Sequence, residues 1–264
     1  MEIKKNYHIH TYRCGHAYGS DEEIVLEAIE FGLTHMGFSD HVILPYHSQP
    51  GIRGNYDLFD DYLSSLRALK EKYKHKIDIK IGFEAEYFKQ YEQYYRSLVE
   101  EGEIDYLILG QHCCIDDNKI VFYDYRSLDK VALENYKNDL LNGMASGLYS
   151  YVAHPDHYMS GYRKWDEHAI KVAHEICKAA VKYNLPLEIN LAGVRHFSGP
   201  TYGSMGYPYV PFWNIVSQYP IDVIIGLDIH TPLDYFNSGL KTAFRIVEEN
   251  KLNVIQDIKM YKEK

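Results

Sequence analysis

His8-Ile9-His10, followed at a distance by His16, is the first stretch of the chain whose residue types and spacing could do chemistry. Side chains of an extended segment repeat every two residues, so both imidazoles of His-x-His point to one side and make half a metal site. The pattern is weak alone, because 14 histidines occur in 264 residues and a single histidine is more often a surface or satisfied core residue. Its weight depends on partners. His41 closes Phe38-Ser39-Asp40, Glu84 follows Gly82-Phe83, His112 follows Gly110-Gln111, His154 follows Ala153, and Asp228 and His230 follow Gly226. Together His8, His10, His16, His41, Glu84, His112, His154, Asp228 and His230 exceed the shell of one tetrahedral zinc and suit two to three divalent ions such as zinc, manganese or iron. Glu84 and Asp228 are the acidic members, and a carboxylate with two oxygens can bridge adjacent ions.

The other candidates weigh less. His168 and His174 fall on the polar face of a helix, and with His35, His75 and His157 they are assigned to structure. Cys113 and Cys114 follow His112 directly, but free cysteine is more often a small buried apolar residue than a ligand.

The elements that must position the donors follow from periodicity. Ser20-Asp-Glu-Glu23 reads as a capping box opening a helix that stops at Gly32. Leu58, Tyr62, Leu66, Leu69 and Tyr73 repeat at helical spacing, and 165–183 carries Ala169, Val172, Ile176 and Ala180 on one face. Further helices are expected near 90–100 and 127–144 and after Pro232. Strands are expected at 35–38, 77–82, 106–109, 149–153, 185–189 and 222–227, besides the one carrying His8 and His10. Strand-then-helix units without a two-residue hairpin turn imply a parallel sheet, and their regular spacing favours a closed α/β barrel. The donors cluster at the C-terminal strand ends, where barrel enzymes gather their active sites. Only the strand ending at Asn190 lacks a His, Asp or Glu at its end.

Composition narrows the function. The length suits a single domain over 1–264. With 28 Lys+Arg against 37 Asp+Glu, the net charge of −9 disfavours nucleic acid and anionic membrane as partners, while a small anion could still bind through metal ions. No signal-peptide pattern and no apolar run near 18 residues is read, so a cytoplasmic location is expected. The four cysteines show no C-x-x-C spacing and read as free thiols. Oligomeric state is left open.

His8-Ile-His10-Thr, Cys14-Gly-His16-Ala, Phe38-Ser-Asp-His41, Gly82-Phe-Glu84, Gly110-Gln-His112, Ala153-His154-Pro-Asp and Gly226-Leu-Asp228-Ile-His230 together resemble the motifs of the polymerase and histidinol phosphatase (PHP) family. The resemblance implies a distorted seven-unit (β/α) TIM-like barrel with a metal cluster at its C-terminal face. It implies that His8, His10, Glu84 and Asp228 hold a first ion, Glu84, His112 and His154 a second, and His16, His41 and His230 a third. Leu187-Glu-Ile-Asn190-Leu-Ala-Gly-Val-Arg195 resembles the segment of the family's histidinol phosphatases in which the arginine binds substrate phosphate.

Metal coordination can bring the pKa of water from 15.7 to around 7, so a hydroxide held near Glu84 and Asp228 is the expected nucleophile for a phosphate ester. A phosphate dianion also wants cationic donors, and Arg195, Arg163 and Arg53 are the candidates. The expected activity is hydrolysis of a small phosphorylated metabolite, by resemblance L-histidinol phosphate, to the alcohol and phosphate. The competing expectation is a phosphodiesterase or exonuclease acting on nucleotides or nucleic acid ends, which the net acidity disfavours.

Overall fold

Short strands rich in Val, Ile and Leu alternate with helices through the computed structural model, which describes residues 2–117, 119–123, 128–197, 206–236 and 239–261. In chain order they are β1 (Lys5–Asn6), α1 (Asp21–Phe31), β2 (His35–His41), α2 (Phe59–Tyr73), β3 (Asp78–Ala85), α3 (Glu92–Glu100), β4 (Tyr106–Leu109), β5 (Cys113–Asp116) and β6 (Lys119–Phe122). Then come α4 (Lys130–Ser146), the short α5 (Met159–Tyr162), α6 (Glu167–Tyr183), β7 (Leu187–Asn190), α7 (Ala192–Phe197), α8 (Val210–Val216), β8 (Asp222–Gly226), α9 (Leu240–Asn250) and β9 (Asn253–Val254).

Local chemistry sets the helix ends. Ser20 Oγ accepts from the Glu23 amide at 3.2 Å while Glu23 Oε2 accepts from the Ser20 amide at 2.7 Å, the reciprocal pair expected of the capping box. Asp166 caps α6 by accepting from the His168 and Ala169 amides, both at 3.1 Å. Asp129 does the same for α4 through the Ala132 amide at 2.8 Å, so that helix starts at Lys130; Ser127 lies outside the described residues.

β1, β2, β3 and β4 pair in parallel in that order, and β7, β8 and β9 form a second parallel run. Single parallel bridges continue the order, with Val152 pairing Leu109 on one side and Leu187 on the other, while Ile9 pairs Ile229. The result is a mixed α/β fold with a curled parallel sheet. The 149–153 segment expected as a strand contributes only these bridges at Val152, with the Leu109 amide donating to Tyr151 O at 3.0 Å. The expectation of no tight hairpin is corrected by β5 and β6, which pair antiparallel with Asp116 opposite Lys119. The pair leaves the end of β4 just after His112, where the chain must turn away from the strand-end cluster.

Tyr7, Tyr106, Ile108, Tyr151, Ala153 and Ile224 form a small apolar cluster apart from the main core. Tyr106 Oη reaches the Tyr7 and Phe38 carbonyls at 2.9 and 3.0 Å, so its buried hydroxyl is satisfied. One or two period-two steps further along the same strands come Gly110, Gly226 and Asp228, and the floor of the candidate site. None of the described helices is long and apolar enough to cross a membrane.

Candidate metal centre

His8 and His10 follow β1, His41 ends β2, Glu84 lies near the end of β3, His112 follows β4, His154 follows the Val152 bridge, and Asp228 and His230 follow β8. His16 reaches the same place from the turn beyond the Tyr12–Cys14 helical turn. The structure therefore brings together all nine sequence-expected donors, and His10, His16, His41, Glu84, His112, His154, Asp228 and His230 line one cavity of about 1210 Å³.

Their spacing is informative. His8 Nε2 lies 3.5 Å from Glu84 Oε2 and 3.4 Å from Asp228 Oδ1, and His10 Nε2 lies 3.5 and 3.2 Å from the same two oxygens. Ligands about 2.1 Å from a common tetrahedral ion sit about 3.4 Å apart, so these four atoms have the edges of a coordination shell. On the other side of the Glu84 carboxylate, Oε1 lies 3.4 Å from His112 Nε2 and 2.7 Å from His154 Nε2. His16 Nε2 and His230 Nε2 face each other at 3.1 Å, and the His41 ring centroid is 5.4 Å from that of His16. His41 Nδ1 is also 3.4 Å from Glu84 Oε2, so it stands between the groups. Buried His8 Nε2, His41 Nδ1 and Asp228 Oδ1 have no hydrogen-bond partner, and orphaned polar atoms converging in a buried space fit a cation.

The electrostatics reflect carboxylate charge concentrated at this end of the strands. Burial opposes charge on His8, yet Asp228, Glu188 and Glu84 outweigh it and hold the imidazole up to about 10. Burial would raise the Glu84 carboxyl, but His112, His8 and His154 keep it well below the usual range. Asp228 is held down likewise by His8, His10 and His230. Burial pushes His41 and His230 well below the ordinary imidazole value, leaving them neutral and able to coordinate.

Behind the inner donors stands a second set of carboxylates that the sequence reading missed. His8 Nδ1 is 2.8 Å from Glu188 Oε1, His10 Nδ1 is 3.5 Å from Asp40 Oδ1, and His112 Nδ1 is 3.3 Å from Glu86 Oε1. Each imidazole thus has one nitrogen toward an inner carboxylate and the other toward an outer one, the arrangement that orients metal-ligating histidines. The signal available in sequence was period two: Glu86 follows Glu84, and Glu188 precedes Asn190, by one such step. Close approach explains two glycines. A Cβ on Gly110 would lie 1.9 Å from Glu84 Oε1, and one on Gly226 would lie 1.7 Å from Glu188 Oε1. His157, assigned to structure from sequence, is at the cavity wall, its ligand atoms grouped with those of His112 and His154.

The three arginines part company. Arg195 lines the cavity; its Nη1 and Nη2 donate to the carbonyls of Leu227 and Asp228 at 2.8 and 2.5 Å, and Nε lies 3.2 Å from Asp234 Oδ1. Arg53 is corrected from a substrate contact to a buried structural group: Nη2 lies 2.9 and 3.0 Å from the Glu86 carboxylate oxygens, Nη1 donates to Val42 O at 3.0 Å, and Nε donates to Gln49 Oε1 at 2.5 Å. Arg163 is also displaced from expectation. It ends α5 with φ +54°, is exposed, donates from Nε to Ser160 O at 3.4 Å, and is not among the residues lining the cavity.

A family model for the PHP domain matches residues 6–192. The probable histidinol-phosphatase of Deinococcus radiodurans is 25% identical over 229 residues, 85% of each chain. The histidinol-phosphatase of Bacillus subtilis is 24% identical over 264 residues, 86% of this chain and 93% of that one. Among solved structures, histidinol phosphate phosphatase from Lactococcus lactis, complexed with zinc, L-histidinol and phosphate, superposes with a TM-score of 0.73 at 20% identity, over 98% of this chain and all of that one. That superposition establishes the fold.

Proposed function

Since the chain belongs to the PHP domain family, we propose that it is a metal-dependent phosphomonoesterase that hydrolyses L-histidinol phosphate to L-histidinol and phosphate, a step of histidine biosynthesis. The observation that carries the reading is the shell-like spacing of His8, His10, Glu84 and Asp228 beside a cavity-lining arginine, in a chain whose relatives in Deinococcus and Bacillus bear the histidinol-phosphatase name. In this reading residues 1–264 form one distorted seven-unit (β/α) barrel acting in the cytoplasm on a small phosphorylated metabolite.

Two to three divalent ions are proposed, of zinc, manganese or iron. His8, His10, Glu84 and Asp228 would hold the first, Glu84, His112 and His154 the second, and His16, His41 and His230 the third. When bound, such ions acidify water to near neutral pH and neutralise charge on phosphoryl oxygens. Glu84 offers one carboxylate oxygen to each of two groups of imidazoles, so it fixes their separation. Arg195 is held by carbonyls and Asp234, and the second hydrogen on each of its terminal nitrogens would serve to orient the phosphate oxygens. The diesterase reading has no basic stripe to support it in a chain of net charge −9.

Turnover of the zinc- and manganese-loaded protein on a panel of phosphomonoesters and a phosphodiester tests the proposal. L-histidinol phosphate should give the highest kcat/KM. Arg195→Ala should cost about 2–4 kcal/mol in kcat/KM, the scale of a buried contact to a charged group, and Arg195→Lys should recover only part because it lacks the planar fork. Preference for the diester, or unchanged monoester kinetics in Arg195→Ala, rejects it.

A further inference from the structure

β7 supplies no proposed ligand at its end, yet its last residues are fully buried against the cluster: Glu188 and Asn190 have no exposed surface. Glu188 Oε1 lies 2.8 Å from His8 Nδ1. Glu188 Oε2 accepts from the His154 backbone amide at 3.1 Å and from Asn190 Nδ2 at 2.9 Å. Asn190 Nδ2 donates in turn to Asp228 Oδ2 at 3.0 Å, while Asn190 Oδ1 accepts from the Ala192 amide at 2.9 Å and so fixes the orientation of the side-chain amide. One carboxylate and one amide therefore touch His8 and Asp228 of the first proposed ion and the backbone of His154 of the second.

Two of the residues so held are conformationally costly. His154 and Asp228 have φ of +30° and +51°, in the left-handed region that L side chains rarely adopt. Such geometry is unfavourable and persists only where surrounding contacts over-determine it. The hub supplies such contacts, and Gly226 leaves the room that Glu188 occupies.

We propose that Glu188, oriented by Asn190, is a positioning residue that couples the two ion sites sharing Glu84. It sets the His8 imidazole with Nε2 turned toward Glu84 and Asp228, and it pins the backbone from which His154 reaches Glu84 Oε1. The inference rests on the metal-dependent reading above. It differs from that reading in saying that a residue holding no ion sets the affinity of two.

Zinc alone, titrated into the metal-free full chain against a chromophoric chelator, tests it, with cobalt absorption spectra as a second readout of the coordination shell. Glu188→Gln keeps the size of the side chain, but its amide cannot accept at both of its ends. It should weaken two ions together by roughly 10- to 100-fold each and shift the cobalt bands. Glu188→Ala should weaken both further, so Gln is a partial rescue, and the ion at His16, His41 and His230 should bind as in wild type. Weakening of a single ion, or unchanged zinc affinities with only a lowered Tm, overturns the coupling. Should Glu188→Ala fail to fold, the Glu188→Gln titration decides alone. Wild-type protein that takes up fewer than two ions overturns the metal-dependent reading itself, which separates the two failures.

Discussion

The two ends of the parallel strands are built to opposite rules. At the C-terminal ends, imidazoles and carboxylates crowd together, buried His8 Nε2, His41 Nδ1 and Asp228 Oδ1 lack partners, and His154 and Asp228 sit in left-handed backbone. At the N-terminal ends, the last described segment of the chain lies across the strands and its polar groups are matched. Gln256 Oε1 accepts from the Lys4 and Lys5 amides at 2.7 and 3.2 Å, Ser150 Oγ donates to Lys259 O at 2.6 Å, and the Tyr261 amide donates to Asp105 O at 2.9 Å. Ile258 and Met260 pack on the small apolar cluster beneath. One end spends stability on reactivity, whereas the other supplies it, the division expected of barrel enzymes. The sharpest way to break this comparison is to find an inner donor of the cluster that governs folding or a floor residue that governs turnover.

The largest effect is expected at Glu84. Glu84→Gln keeps the shape but removes the charge that faces imidazoles on both sides, so kcat/KM should fall by roughly a thousandfold or more, about 4 kcal/mol of transition-state stabilisation. The metal-free variant should unfold within about 4 °C of wild type, because Asp228 and Glu188 still face His8 when the Glu84 charge is gone. Steady-state kinetics and thermal unfolding in chelator check both halves. Full activity in the variant ends the proposed role of Glu84, and a large loss of metal-free stability ends the division between the two faces.

How far the molecule could be read from its residues also divides along these lines. Donors at strand ends were legible because a strand exposes its side chains with period two, and Gly110-Gln-His112 or Gly226-Leu-Asp228 each pair a donor with a glycine that clears space for a carboxylate. The outer carboxylates were not, since Glu188 meets His8 across 180 positions of sequence and nothing local to either residue encodes that meeting. The hairpin of β5 and β6 was missed because its turn residue Asp117, at φ +45°, reads like any polar loop residue. Arginines were the least legible. Arg53, on the loop after β2, and Arg195, in α7 just after β7, both stand near the site in sequence order, and only burial beside Glu86 or exposure to the cavity separates them.

That separation yields a second, smaller effect. Arg53→Met leaves Glu86 buried without its partner and should destabilise the protein by about 3 kcal/mol. Burial opposes charge on Glu86, but the Arg53 guanidinium and His112 hold its pKa down to about 2, against an ordinary value of 4.5. Between those two values the unfolded chain binds the proton and the folded protein does not, so the pair's contribution is complete above about pH 4.5 and drains away as pH falls toward 2. The stability gap between wild type and Arg53→Met, measured by denaturant unfolding of the metal-free proteins, should therefore be widest near neutral pH and close through that window. A gap independent of pH would mean that Arg53 stabilises by packing alone.

The smallest effect is expected at the floor, and it is the cleanest test of the division because it should leave chemistry untouched. Gln256 accepts from the Lys4 and Lys5 amides at the start of β1 and donates from Nε2 to Glu2 O at 3.1 Å, tying the two ends of the described chain together. Gln256→Leu keeps the apolar stem but removes every one of those bonds; the Lys4 and Lys5 amides are only partly buried, so water can replace much of what is lost. The cost should be about 1 kcal/mol, the net worth of a partly exposed hydrogen-bond set, which lowers Tm by roughly 2–4 °C in a chain of this size. Because Gln256 lies at the opposite end of the strands from Glu84 and His154, kcat/KM should stay within about twofold of wild type, as expected for sites without shared partners. A Tm unchanged by the substitution would show that the strap contributes nothing. A fall in kcat/KM at full metal occupancy would show that strain at the mouth is communicated along the strands, and the two ends would then have to be treated as one device.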